Sequence, residues 1–317
     1  MLLFFLLAAS LAAEPVRLIF DTDMGNDVDD ALALAMIHAL ENRGEAKLLA
    51  VTITKDNRFA APYVDLVNTF FGRGDLPVGV VKNGKTPGDS RMIQVPVERR
   101  RPDGSPVYPH DLKDGRQAPE AAGLLQRILA GEREGAVTIV QVGFSSNLAR
   151  LLERGGRGLV ERKVSLLVLM GGAFLNGKPE YNIKTDIPAA KRLFAEWPTP
   201  IVASGYEIGE RIRYPAASIE KDFGYVEHHP VADAYRNYKP MPYDRETWDL
   251  TAVLQAVRPS RGYFLLSPPG EITVDGQGRT RFAARPGGRH RHMKLDPGEK
   301  TRVLKTMTEL ASSRPKL

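Results

Sequence analysis

The chain has 317 residues, and its 43% hydrophobic content is that of a globular protein with a large core. It contains no cysteine, which excludes disulfides, thiolate nucleophiles and zinc sites built on cysteine. The net charge of +6 comes from Lys and Arg residues that are spread along the chain without a recognisable reading motif, so we expect no nucleic-acid partner.

The first thirteen residues, MLLFFLLAASLAA, form a short apolar stretch that ends in small residues. This outline is typical of a secretory signal peptide, and the stretch is too short to span a bilayer as a helix. We therefore predict a signal peptide at residues 1–13 and one domain at residues 14–317. The protein is then expected to be secreted or periplasmic, without stable membrane insertion after cleavage.

Beyond this stretch, apolar runs typical of strands alternate with stretches of helical periodicity. The predicted strands are residues 16–20, 47–53, 78–81, 136–142, 164–170 and 200–203. The predicted helices are residues 31–40, 61–71, 119–129, 146–152, 188–197 and 304–311. This alternation predicts a single α/β domain with a mainly parallel central sheet flanked by helices.

Two segments do not follow the alternation. Residues 82–120 are rich in Pro, Gly and charge and have no clear period, which predicts a long functional loop. Residues 271–286 predict a small hairpin that turns at Asp275 and Gly276.

The segment DTDMGNDVDD, residues 21–30, places five carboxylates between the first predicted strand and the first predicted helix. Two like charges about 4 Å apart near a protein surface repel by roughly 4 kcal/mol, so a bound divalent cation is expected to offset the cost. An EF-hand loop is excluded, because it needs Gly and Glu where this sequence has Asn26 and Leu32. A helix-capping role accounts for one or two acids, not for five.

The stretch DTDMGNDVDDALAL resembles the N-terminal signature of the inosine-uridine nucleoside hydrolase family, usually D-x-D-P-G-x-D-D-A. Met24 stands where the family usually has Pro, and two extra residues precede the final Asp29-Asp30 pair. The resemblance implies that Asp23 is a Ca²⁺ ligand and the base that activates water. It also implies that Asp30 is a second ligand and that Asp29 reaches the ribose. Asp27, in the insertion, has no implied role.

Further blocks resemble the family in the same order along the chain. LAVTITKDN is similar to the second strand, and implies that Asn57 faces the sugar. VGFSSNL resembles the turn in which a backbone carbonyl, here that of Ser146, completes the calcium shell. MGGAF followed by EYN resembles the block that grips the ribose hydroxyls. The residues implied there are Met170, Asn176, Glu180 and Asn182.

The last block, TWDLTAV, is similar to the family's H-D-x-x-A-V and implies that Asp249 is the last protein ligand of calcium. Trp248 stands where the family often has a histidine associated with protonation of the leaving group. We expect Trp248 to stack on the base instead. Help for the leaving group then has to come from a Tyr or His of residues 225–243, or from the substrate's own reactivity.

These features predict Ca²⁺-dependent hydrolysis of the N-glycosidic bond of a nucleoside. The many carboxylates favour a neutral nucleoside over a nucleotide. Dimers and tetramers are common in the resembled family, so a homo-oligomer is among the expected assemblies. Two alternatives stay open. One is a haloacid-dehalogenase-like phosphatase, suggested by Asp21-x-Asp23 after a strand, with Gly25 counting against it. The other is a family member that binds nucleosides or sugars without catalysis.

Overall fold

The computed structural model describes residues 14–316, and the predicted signal peptide at residues 1–13 lies outside the described residues. The strands are β1 (Val16–Thr22), β2 (Ala46–Lys55), β3 (Val78–Lys85), β4 (Val137–Gln141), β5 (Val164–Met170), β6 (Ile201–Ser204), β7 (Arg213–Tyr214), β8 (Arg245–Glu246), β9 (Phe264–Leu266), β10 (Gly270–Val274), β11 (Thr280–Ala284) and β12 (His290–Leu295).

The helices are α1 (Asp29–Asn42), α2 (Ala60–Phe70), α3 (Arg91–Glu98), α4 (Ala121–Gly131), α5 (Ser146–Leu151), α6 (Arg157–Lys163), α7 (Tyr181–Thr185), α8 (Ile187–Glu196), α9 (Tyr206–Gly209), α10 (Ala216–Lys221), α11 (Pro230–Tyr238), α12 (Trp248–Val257) and α13 (Lys300–Ala311). Within the described residues, no helix is both long and apolar enough to cross a membrane.

The main sheet has the strand order β11-β10-β12-β6-β5-β4-β1-β2-β3. Neighbours from β3 to β12 pair in parallel, whereas the β10–β11 hairpin and the β12–β10 pair are antiparallel. The predicted strands and hairpin are therefore confirmed, and the sheet is mainly parallel with helices around it.

The core lies on both faces of this sheet, as β1 illustrates. Its Leu18 and Phe20 belong to the apolar cluster that contains the buried residues of α1, α2 and α12. Ile19, which points to the opposite face, belongs to the cluster formed with residues of α4, α5 and α8. Because successive side chains of a strand alternate between faces, a continuous apolar run suits a strand covered on both sides.

Helix α1 is buried around its whole circumference from Asp29 to Leu40. It packs against β2, α12 and α13, which explains why its Ala-, Leu- and Met-rich sequence has no polar face. Its first turn holds Asp29 and Asp30, where negative charge interacts favourably with the helix dipole. A core helix therefore carries two site carboxylates on a rigid element.

The structure corrects the prediction of one long loop at residues 82–120. β3 continues to Lys85, and α3 lies within the segment and packs against α2 and α11. The helix buries Met92, Ile93 and Val97, but it also contains Pro96 and is charged at both ends, at Arg91 and Glu98. This composition masks its periodicity in the sequence.

Candidate active site

Eight of the eleven predicted site residues gather near the carboxyl ends of β1, β4 and β5, the edge of a parallel sheet where ligands bind. A cavity of about 370 Å³ opens there, large enough for a small organic ligand. It is lined by Asp23, Asn26, Asp27, Asp29, Asp30, Val142, Met170, Glu180, Tyr181, Asn182, Tyr206, Tyr238, Arg245, Trp248 and Asp249. The acidic turn predicted from the sequence therefore forms one wall of this cavity.

The turn that connects β1 to α1 depends on Gly25. This residue has a φ of 108°, and a Cβ there would lie 2.5 Å from Ile93 Cδ1. Only glycine adopts this conformation readily and leaves room for Ile93. On the other side, a Cβ on Gly143 would lie 2.6 Å from the backbone nitrogen of Asp23. Two glycines thus let the backbone of the acidic turn fit between β4 and α3.

Three buried carboxylates meet in the cavity. One oxygen each of Asp29, Asp30 and Asp249 lie within 4.8 Å of one another. Helices α1 and α12 supply them from their first turns, and the backbone N–H of Asp249 donates to Asp29 Oδ2 over 3.1 Å. Burial raises the pKa of all three carboxyls well above the usual range, with repulsion by neighbouring acids adding to it.

This group of three fits a hard divalent cation. Ca²⁺ binds oxygen at about 2.3–2.6 Å, so two ligands on opposite sides of one ion are roughly 4.6–5.2 Å apart. Thr22 Oγ1 donates to Asp30 Oδ1, while the buried Asp30 Oδ2 has no hydrogen-bond partner among the described residues. A buried carboxylate oxygen without a donor is costly, and a metal ion at this place would satisfy it. The oxygen-only ligand set is one that calcium or magnesium prefers over zinc.

Asp23 lies in the same cavity but outside this group of three. Its Oδ2 accepts a hydrogen bond of 2.8 Å from Asn26 Nδ2, and Asn26 Oδ1 accepts one of 3.0 Å from Lys55 Nζ. Because an ammonium group can only donate, Lys55 fixes the amide of Asn26 so that its NH₂ group faces Asp23. Burial raises the pKa of Asp23 to about 7, against the opposing effect of the Asn26 hydrogen bond. A carboxyl with this pKa can take up a proton near neutral pH.

Met170, Glu180 and Asn182, predicted to contact the sugar, all line the cavity. Asn182 Nδ2 donates to the carbonyl oxygens of Val142 at 2.7 Å and Met170 at 3.2 Å. The Glu180 carboxylate accepts hydrogen bonds from the backbone N–H groups of Asn182 and Ile183 at the start of α7. These bonds hold the side chains of Glu180 and Asn182 in place near the carboxyl end of β5.

Three other predicted residues do not line this cavity. Asn57 caps the turn before α2 through Phe59 N, and its Nδ2 donates to Asp89 Oδ1 over 2.9 Å beside a separate surface cavity. Asn176 is exposed in the loop before α7. Ser146 begins α5, and its Oγ donates to Asp186 Oδ2 over 2.5 Å. Their implied roles stay predictions.

Aromatic side chains line the same cavity as the acids. Trp248 stacks on Tyr206 with 5.5 Å between ring centroids, and its Nε1 donates to the Tyr206 carbonyl over 2.9 Å. Of the Tyr and His residues at positions 225–243 of the described chain, only Tyr238 lines the cavity. His229 is buried elsewhere, where it contacts Tyr225 Oη and caps α11. Tyr238 is thus the residue of that segment that reaches the cavity.

Sequence reasoning missed one ion pair in this cavity. Arg245 Nε donates to Asp27 Oδ1 over 2.8 Å, and its Nη2 donates to Asp27 Oδ2. The two residues are 218 positions apart, so no local pattern connects them. An unassigned Asp in an insertion was the only signal in the sequence.

The sequence profile described as inosine-uridine preferring nucleoside hydrolase matches residues 18–308. The chain therefore belongs to the inosine-uridine preferring nucleoside hydrolase family, whose members are N-glycosyl hydrolases. This confirms the resemblance seen in the sequence, and the dehalogenase-like alternative is wrong. Comparison with curated proteins found no match.

Solved structures share the fold at low sequence identity. The chain is 21% identical to an inosine-uridine preferring nucleoside hydrolase from Bacillus anthracis, with 93% of this chain and 99% of that chain covered and a TM-score of 0.72. It is 23% identical to a plant nucleoside hydrolase (94% and 99% covered, TM-score 0.68). It is 19% identical to a purine-preferring ribonucleoside hydrolase from Gardnerella vaginalis (93% and 98% covered, TM-score 0.70).

Proposed function

We propose that this protein hydrolyses the N-glycosidic bond of neutral nucleosides in a Ca²⁺-dependent reaction that releases ribose and a free base. The observation that carries the proposal is the mixed lining of one cavity. Buried carboxylates line it together with the aromatic side chains of Tyr206, Tyr238 and Trp248. A nucleoside needs both kinds of group, because its sugar carries hydroxyls and develops positive charge while its base is flat and aromatic.

Asp29, Asp30 and Asp249 would hold the cation, with Asp23 and the Ser146 carbonyl as the further ligands that the family resemblance implies. When bound, the cation supplies Lewis acidity that makes a neighbouring water a better nucleophile. The support from this chain is the 4.8 Å spacing of the three oxygens and the unpartnered Asp30 Oδ2.

The side chains then act on water and sugar. As the bond between C1′ and the base nitrogen breaks, its electron pair leaves with the base, and water adds to C1′. Asp23 accepts the proton that the water loses. Nearby carboxylates stabilise the positive charge that develops on the ribose, and the polar groups of Glu180 and Asn182 orient its hydroxyls.

Charge favours a neutral substrate. The cavity is lined by six acidic residues, Asp23, Asp27, Asp29, Asp30, Glu180 and Asp249, and by one basic residue, Arg245, which is already paired with Asp27. A phosphate group would be repelled by this excess of carboxylates.

We further propose that the protein is secreted or periplasmic and that it forms a homo-oligomer. N-terminal sequencing of the exported protein tests the first proposal, and light scattering of the purified protein tests the second.

Release of free ribose from a panel of nucleosides tests the proposed reaction, with metal-depleted protein assayed before and after addition of Ca²⁺. Asp23→Asn keeps the shape of the side chain but removes the base, and we expect it to abolish hydrolysis. Asp75→Asn, an exposed change far from the cavity, is the matched control and should retain wild-type activity. Nucleoside binding without ribose release by the wild type would identify a non-catalytic family member. Wild-type turnover by Asp23→Asn would show that another group is the base.

A further inference from the structure

Trp248 occupies the position at which the family often has a leaving-group histidine, so another group has to assist the departing base. We propose that Arg245 is that group, and that Asp27 is the residue that positions it. This inference rests on the proposed hydrolysis and adds the identity of the residue on the leaving-group side. It depends on three observations: where Arg245 lies, which of its hydrogens are free, and what it stacks on.

Arg245 lies beside aromatic residues of the cavity. It lines the cavity together with Tyr238 and Trp248, and only 11% of its side chain is exposed. Strand β8, which carries it, ends two residues before α12, so Arg245 is near Asp249 in sequence as well as in space. A nucleoside whose sugar contacts the acids would therefore place its base on the wall that Arg245 helps to form.

The hydrogen bonds of Arg245 leave donors free for a ligand. Nε and Nη2 donate to the two carboxylate oxygens of Asp27, and Nη1 donates to Glu246 Oε2 over 3.0 Å. A guanidinium group has five N–H donors. Among the described residues, one hydrogen on each terminal nitrogen has no protein acceptor. An N–H group of this kind can donate to an acceptor atom on the edge of a base.

Two aromatic rings lie against the guanidinium group. Its central carbon lies 5.1 Å from the ring of Trp248 and 5.2 Å from the ring of Tyr238. Trp248 in turn stacks on Tyr206, so the guanidinium lies beside a cluster of aromatic rings. Such contacts and the fork-like pair with Asp27 restrict Arg245 to one orientation, which lowers the entropic cost of binding a base.

This geometry suits the charge that moves during bond cleavage. The electron pair of the broken bond enters the ring system of the base, and its acceptor atoms become more negative. An N–H of Arg245 donates a hydrogen bond to such an atom and stabilises this charge, without itself losing a proton. The departing base takes its proton from solvent afterwards. Arg245 thereby supplies electrostatic help in place of the proton that a histidine would transfer.

The insertion in the acidic turn explains the presence of Asp27. The two extra residues before Asp29 bring this carboxylate to Arg245, and the same carboxylate accepts a hydrogen bond from the backbone N–H of Val28 over 2.6 Å. Asp27 thus connects the acidic turn to the leaving-group wall. This assigns a role to the one acid of the turn that the family resemblance left without one.

The experiment compares two substrates that differ in their need for assistance. Inosine has a poor leaving group, whereas nitrophenyl riboside releases a stable phenolate. Arg245→Met keeps the length of the side chain but removes charge and donors. We expect its kcat for inosine to fall by about 100-fold, the usual cost of removing one donor to a developing charge. Its kcat for nitrophenyl riboside should stay within about threefold of wild type. Arg245→Lys, which keeps the charge, should recover part of the inosine activity.

Two variants separate this role from a structural one. Asp27→Asn with Arg245→Met removes the unpaired carboxylate, and it should show the same substrate-dependent loss. Arg258→Met is the matched control, because Arg258 is also 11% exposed and pairs through two nitrogens with Glu45 outside the cavity. It should slow neither substrate.

If kcat falls equally for both substrates in Arg245→Met and in the double variant, the assignment is overturned and Arg245 has only a structural role. If the wild type hydrolyses neither substrate, the proposed function itself fails. The two failures can be told apart, because the wild type is active if only the Arg245 assignment is wrong and inactive if the proposed function is wrong.

Discussion

Asp249→Asn should change stability in opposite directions with and without calcium. In the metal-free protein, the substitution removes one of three buried charges whose oxygens lie within 4.8 Å of one another. In the calcium-loaded protein, it removes a ligand. A residue that only packs against its neighbours would not show this reversal.

The magnitude follows from Coulomb's law. Two unit charges 4.8 Å apart repel by about 3.5 kcal/mol at an effective dielectric of 20, and Asp249 has two such neighbours. The raised pKa of these carboxyls means that part of this repulsion is already relieved by bound protons. We therefore expect the metal-free variant to gain about 1–3 kcal/mol, or roughly 2–6 °C in Tm. Wild-type protein at a Ca²⁺ concentration 100-fold above Kd should gain about 2.7 kcal/mol, and the variant far less.

Scanning calorimetry at pH 8, once with a chelator and once with excess Ca²⁺, measures both effects. Asp75→Asn, an exposed carboxylate away from the site, controls for the loss of one negative charge and should match wild type in both conditions. A lower Tm for metal-free Asp249→Asn, combined with an undiminished response to Ca²⁺, would refute the assignment of this cluster as a cation site.

Two further predictions concern the base and the pH dependence of stability. Trp248→Ala should raise KM for inosine more than it lowers kcat, because it removes a stacking surface, and steady-state kinetics showing mainly a kcat loss would contradict this role. Burial lowers the pKa of His38 to about 3, so the folded protein keeps this ring neutral while the unfolded chain protonates it below about pH 6.5. The contribution of the neutral His38 to the free energy of unfolding is fully present above pH 6.5 and is lost as the pH falls towards 3. At pH 5 the loss is about 2 kcal/mol. Urea unfolding measures how far the free energy of unfolding falls between pH 7 and pH 5. This decrease should be smaller in His38→Phe than in the wild type by about the same 2 kcal/mol. An equal decrease in the two proteins would argue against a neutral buried His38.

Local sequence was sufficient for the central part of the fold. The apolar runs of β1, β4 and β5 are buried on both faces of the sheet, so most of the residues in these strands are apolar. Such an apolar run can be recognised in the sequence without knowing which strands and helices pack against it. The acidic turn was equally readable, because five carboxylates in ten residues have no ordinary structural explanation.

Other elements depended on their neighbours. Strand β12, with the sequence HRHMKL, has no apolar run, yet it joins the sheet between β6 and β10. Its backbone hydrogen bonds to the neighbouring strands β6 and β10 hold it in the sheet, so its side chains do not need the apolar pattern of a typical strand. The sequence likewise predicts a loop where α3 lies, because packing against α2 and α11 supports a helix whose own sequence shows no clear helical periodicity.

The site residues likewise divide into those that local sequence predicts and those that only tertiary packing brings together. The sequence alone indicated that the acidic turn faces the cavity, because it directly follows a strand and opens a helix. Glu180 and Asp249 were implied only by the family resemblance. Only the tertiary structure showed that Asp29 lies beside Asp30 and Asp249, and that Asn57 and Ser146 lie against other surfaces. The Asp27–Arg245 pair joins residues 218 positions apart, and such a contact exists only once the chain has folded. Motifs report the chemistry that a segment carries, whereas distances between segments are set by packing, which no local pattern encodes.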